Sequence, residues 1–89
     1  MNKEVLLSTP AQKQYRKLKS AFKRDIKEAL KNLASGNDKN LDIKKLKGVD
    51  KREPLYRLRV GKYRVVFTQE KKVIKVIRII LRKEGYDWL

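Results

Sequence analysis

Tyr56-Arg57-Leu58-Arg59-Val60-Gly61-Lys62-Tyr63-Arg64-Val65-Val66-Phe67 is the stretch that decides how this chain folds. Its first five residues alternate strictly, and a β-strand sends successive side chains to opposite faces. Tyr56, Leu58 and Val60 therefore point one way and Arg57 and Arg59 the other. Gly61-Lys62 reads as a two-residue hairpin loop in which glycine supplies the positive φ. That loop pairs Val60 with Tyr63 and Arg59 with Arg64, so three guanidinium groups share one face. Like charges directly opposite across two strands are destabilising, and an anionic ligand is a physical reason for a sheet to carry them.

Working outward, the segment before the hairpin is helical. Ala11, Tyr15, Leu18, Phe22, Ile26, Ala29, Leu30 and Leu33 keep a 3.6-residue period. One rod over Pro10 to Ala34 would be about 37 Å long, against a radius of gyration of about 12 Å for a compact domain of this size. A break near Lys19 or Ser20 is expected, giving a helical hairpin. Thr9 is the expected cap of the first helix, with Pro10 at its first turn, and Ser20 that of the second. Gly36 with Asn37 is expected to end it in the left-handed manner.

Lys3 to Ser8 reads as a short strand. Asn37 to Glu53 reads as a basic loop containing a short strand or turn, tacked to the core by Leu41, Ile43 and Leu46. Val73 to Arg82, apolar at both parities apart from Lys75 and Arg78, reads as an internal strand. The fold class is thus α+β: an N-terminal strand, a helical hairpin, then a three-stranded antiparallel meander, with helices on one face of the sheet and arginines on the other. Residues 1–89 make one domain.

Composition narrows the chemistry. Lys and Arg number 25 against 10 Asp and Glu, a formal net charge of +15, which favours a polyanionic partner such as nucleic acid or an acidic protein. A merely solubilising lysine surface would spread the charge evenly. Instead, nine cations stand between Lys44 and Arg64 against only Asp50 and Glu53. Cysteine and histidine are both absent, which excludes a thiol nucleophile, an imidazole base and any Cys/His metal cluster. The scattered acids make no hard-cation loop, so neither metal nor cofactor is expected. The longest apolar run near the N-terminus is Val5-Leu6-Leu7; no signal peptide or membrane span is expected, and the expected location is cytoplasmic.

Taken together, Lys45-Leu46-Lys47-Gly48, the hairpin block from Leu55 to Phe67, and Leu81-Arg82-Lys83-Glu84-Gly85-Tyr86 resemble the RelE/ParE superfamily of toxin–antitoxin toxins. The resemblance implies a microbial RNase-like fold and, in the RelE branch, a metal-independent endoribonuclease that cuts mRNA in the ribosomal A site and stops translation. It implies catalytic roles for Arg64, Arg82 and Tyr86, and contacts with the RNA backbone for Lys47, Arg57 and Arg59; Lys45, Lys62 and Lys83, basic neighbours of these positions, are further expected RNA or ribosome contacts. Leu81 stands where many relatives have histidine. The implied partners are an acidic RelB-like antitoxin, in a heterodimer or heterotetramer, and the ribosome with its mRNA.

Cleavage by the neighbouring 2′-OH needs a proton removed, a dianionic phosphorane stabilised and a leaving oxygen protonated. Arg64 and Arg82 suit the second task through charge-assisted hydrogen bonds to phosphate oxygens. A phenol is ordinarily too weakly acidic to be a base at neutral pH, but adjacent cations favour phenolate. Tyr86 is one candidate base and Glu84 another. Two other readings stay open: a ParE-like toxin of the same fold that poisons DNA gyrase, and a non-catalytic basic RNA-binding protein.

Overall fold

The computed structural model of the chain describes residues 2–46 and 54–83. Seven elements follow in order: β1 (Glu4–Leu7), α1 (Thr9–Arg16), α2 (Ser20–Ala34), β2 (Asp42–Lys45), β3 (Tyr56–Val60), β4 (Tyr63–Gln69) and β5 (Val73–Leu81). The strands form one mixed sheet in the order β1-β5-β4-β3-β2. The β3-β4-β5 meander is antiparallel, as its turn signals require; β2 extends it antiparallel at one edge and β1 joins β5 in parallel at the other. The longest dimension is 33 Å, shorter than the single helical rod would be, and the helical stretch is indeed broken.

The caps differ from the sequence expectation. Ser8, not Thr9, caps α1: its Oγ accepts from the Ala11 amide at 3.2 Å and donates to the Ile77 carbonyl at 2.6 Å. Ser8 wins because a β-bulge lies opposite Val66 and Phe67, whose β5 partners are Arg78 and Val76. Ile77 is the extra residue, and its carbonyl needs the donor that Ser8 provides. At the start of α2, Lys19 holds the extended cap conformation without a side-chain bond, and Ser20 is already inside the helix. The helical hairpin is tied instead by the Tyr15 hydroxyl, which donates to the Lys23 carbonyl at 3.3 Å.

Helix α2 ends as expected. Gly36 has φ +78, and the Asn37 and Gly36 amides reach back to the Asn32 and Leu33 carbonyls at 2.8 and 3.2 Å, the paired bonds of a Schellman motif. The core lies between the helical hairpin and one sheet face. Ala11, Ile26, Leu30 and Leu33 pack with Leu58, Val65, Phe67, Ile74, Val76 and Ile79. Tyr56 stacks on Phe67 with ring centroids 5.6 Å apart, so the aromatic residues that alternate with the arginines belong to the core. Among the described residues, no helix is long and apolar enough to cross a membrane.

Candidate functional site

The hairpin register is the one its sequence dictates. Val60 pairs with Tyr63, Arg59 with Arg64, and Arg57 with Val66. Gly61 has φ +56 and Lys62 has a negative φ, the pattern of a two-residue turn with glycine first, whose twist matches that of the strands. Because Leu58, Val65 and Phe67 are in the core, Arg57, Arg59 and Arg64 project from the face away from the helices.

That face is organised in rows across the strands. One row runs Asp42, Arg59, Arg64, Ile80, and the next runs Lys44, Arg57, Val66, Arg78. Val66 is fully buried although it lies on this side, and the methylene stems of arginine neighbours suit such a position. Two members of the rows are additions to the sequence expectation, Arg78 and Asp42. Lys75 and Arg78 are three residues apart, which in a regular strand puts them on opposite faces. The bulge at Ile77 returns both to the arginine face, since Lys75 pairs with Thr68 and Arg78 with Val66. Asp42 carries no signal in the sequence beyond being an acid in a basic segment.

The Asp42 carboxylate bridges two arginines. Its Oδ1 accepts from Arg57 Nη1 at 3.2 Å, and its Oδ2 lies 3.7 Å from Arg59 Nη1. At the opposite corner, Lys62, Arg64, Leu81, Arg82 and Lys83 line an open cleft of about 490 Å³. The Arg82 amide donates to the Lys62 carbonyl at 2.7 Å, which locks the end of β5 to the hairpin turn and so brings Arg82 beside Arg64. Lys62 is steadied from below, its Nζ lying 4.8 Å from the centroid of the Phe22 ring, a cation–π distance. Phe22 itself meets Tyr63 edge to face at 5.2 Å.

Of the residues singled out in the sequence, the structure therefore brings together Lys62, Arg64, Arg82 and Lys83 around the cleft, with Arg57 and Arg59 on the adjoining sheet face. Lys45 is not with them: it pairs with Tyr56 on the helix side of the sheet, and Lys44 is the β2 lysine that shares the arginine face. Lys47, Glu84 and Tyr86 lie outside the described residues. Four cations and a leucine, with no carboxylate among the described lining residues, make a place for a phosphate group. Guanidinium groups can donate paired, charge-assisted hydrogen bonds to its oxygens.

Comparison with known proteins agrees with this geometry. Residues 5–86 match the ParE toxin family, the ParE toxin of the type II toxin–antitoxin system parDE. Toxin RelE3 of Methanocaldococcus jannaschii is 41% identical over 63 residues, covering 71% of this chain and 68% of that protein. Among solved structures, the archaeal RelE–RelB complex of Pyrococcus horikoshii superposes with a TM-score of 0.76 at 28% identity, over 96% of this chain and 100% of that one. The RelB–RelE antitoxin–toxin complex of Methanococcus jannaschii gives 0.74 at 27% identity, over 94% and 98%. The YoeB dimer of Staphylococcus aureus shares the fold, with 0.73 at 20% identity over 90% and 97%. With a family match over nearly its whole length and RelE structures that superpose end to end, the chain belongs to the RelE/ParE superfamily and is a RelE-like toxin of a type II toxin–antitoxin system.

Proposed function

We propose that this toxin is a metal-independent endoribonuclease that cuts mRNA on the ribosome and so halts translation. The observation that carries the reading is the convergence of Lys62, Arg64, Arg82 and Lys83 on one open cleft, beside a sheet face that holds Arg57, Arg59 and Arg78. In this reading Arg64 and Arg82 stabilise the charge that builds on the phosphorane when the 2′-OH attacks, the largest electrostatic contribution such a site can make. Tyr86, or Glu84, takes the proton from the 2′-OH. Lys62, Lys83, Arg57 and Arg59 hold the RNA backbone, and Lys45 and Lys47 contact RNA or ribosome outside the cleft.

The reading needs the ribosome for a chemical reason. Without histidine the chain has no side chain that readily exchanges protons near neutrality. An mRNA held so that its 2′-OH is in line with the scissile phosphate supplies orientation instead, which can remove several kcal/mol of barrier, up to roughly 7–11 in well-oriented intramolecular reactions. The test is cleavage of one mRNA with and without ribosomes at equal toxin concentration and fixed salt, with the new ends mapped. Cuts in register with codons, seen only with ribosomes, support the proposal; equal rates overturn it.

The partner is an acidic RelB-like antitoxin, in a heterodimer or heterotetramer. Two of the similar structures are RelE in complex with RelB, and a formal charge of +15 calls for an acidic chain that orders on binding. Co-purification from cells that carry the native locus tests it. The match to the ParE toxin family favours a second reading, inhibition of DNA gyrase. A supercoiling assay separates the two: the nuclease reading expects gyrase to be unaffected.

A further inference from the structure

Asp42 stands in an unfavourable place for a carboxylate on a surface that receives RNA. It sits at the β2 edge of the arginine face, in register with Arg59, and its two oxygens divide between Arg57 and Arg59 at 3.2 and 3.7 Å. The first contact is a hydrogen bond and the second only an ion pair, beyond hydrogen-bond range. Arg59 is correspondingly under-used, with a buried Nε that has no hydrogen-bond partner. The exposures differ in an informative way: the Arg57 side chain is 12% exposed, that of Asp42 53%. A half-exposed carboxylate is held weakly and can swing out, whereas a nearly buried guanidinium needs an anion nearby at all times.

We propose that Asp42 is an internal occupant of a phosphate subsite formed by Arg57 and Arg59, and that a backbone phosphate of bound RNA displaces it. The inference rests on the reading of the arginine face as an RNA-binding surface. Two oxygens of one anionic group spread over two guanidiniums reproduce what a phosphodiester offers with its two non-bridging oxygens. With Asp42 in place, the trio carries one net positive charge rather than two. Loosely docked polyanions therefore gain little there, and only an RNA anchored elsewhere, at the Arg64 and Arg82 cleft, brings a phosphate close enough to take the subsite. Asp42 thus sets how far this very basic protein discriminates its seated substrate from any other nucleic acid.

The experiment is a salt titration of the binding of a 2′-O-methyl oligouridine, which cannot be cleaved, to the full chain and to two variants. Asp42→Asn removes the charge but keeps an oxygen for Arg57. Asp25→Asn changes the formal charge equally, but on the helical layer, where Asp25 lies beside Arg24. A phosphate that no longer has to displace a carboxylate should bind up to about fivefold more tightly near 0.1 M salt, the worth of one phosphate contact at a slope of about 0.7 in log K against log salt. Asp42→Asn should show that gain and Asp25→Asn should not, and adding Arg57→Gln and Arg59→Gln to Asp42→Asn should abolish it. Equal behaviour of the two Asn variants overturns the proposal while leaving the RNA-binding reading intact, and so does weaker binding by Asp42→Asn, which would make Asp42 a strut. Failure of the unaltered chain to bind the oligonucleotide at all overturns both.

Discussion

Arg59 and Arg64 face each other directly across the β3–β4 hairpin, two guanidinium groups on adjacent strands. Such a pair opposes folding, since like charges directly opposite are destabilising by an amount of the order of the 0.2–1 kcal/mol that favourable cross-strand pairs contribute. Asp42 offsets part of the repulsion from the Arg59 side. Arg64, on the other side, belongs to the cleft with Lys62, Arg82 and Lys83. In the proposed function an anion between them relieves this opposition.

Arg64→Ala should abolish toxicity without unfolding the domain. Loss of one preorganised donor to a developing anion typically lowers the rate by about 10²–10³. The repulsion with Arg59 disappears, so the thermal midpoint should hold or rise. Cell growth on induction, and circular dichroism of the purified variant, check the two halves. A variant as toxic as the parent would remove Arg64 from the proposed mechanism.

Arg82→Ala should lose cleavage to a similar degree while keeping the hairpin closed, because the bond to the Lys62 carbonyl comes from the Arg82 backbone. Tyr86→Phe separates the hydroxyl from the ring. If Tyr86 is the base, turnover at saturating mRNA drops and the KM stays near that of the parent; an unchanged kcat would pass the role to Glu84.

Gly61→Ala should destabilise the fold by about 1–2 kcal/mol, the cost of placing a β-carbon in the left-handed region. Nothing lies within 4 Å of where that carbon would be, so the cost is one of backbone conformation rather than of collision. Gly61→Asn should be milder, since asparagine tolerates this region better. Denaturant midpoints for the two variants give the comparison, and an Asn variant worse than the Ala variant would contradict the turn geometry.

Phe22→Leu should lower stability by about 1–2 kcal/mol through loss of the edge-to-face contact with Tyr63 and the cation–π contact with Lys62. Phe22→Tyr keeps both rings in place and should restore most of it. Chemical denaturation of the pair decides; equal losses in both variants would mean that the ring faces contribute nothing beyond their bulk.

Sequence alone determined the parts of this protein that depend on near neighbours. Strict alternation through Tyr56 to Val60 and a glycine at the turn set the hairpin register, because the period of a strand and the positive φ at Gly61 are local properties. The helical period from Ala11 to Leu33 was equally plain, and its break followed from the size of the domain. Those two readings already placed Arg57, Arg59 and Arg64 on one face, opposite the helices.

What only the tertiary structure decided involves groups distant in the chain. Ser8 displaced Thr9 as the cap because its hydroxyl also meets the Ile77 carbonyl, 69 residues away. The bulge at Ile77 put Arg78 on the arginine face, against the parity counted from Lys75. Asp42 came beside Arg57 and Arg59 through the pairing of an edge strand whose register no turn dictates, and Lys45 went to the other side by the same pairing. A one-residue shift in a strand reverses every side chain. The placement of these charges therefore rests on hydrogen bonds between segments, which no local pattern of residues records.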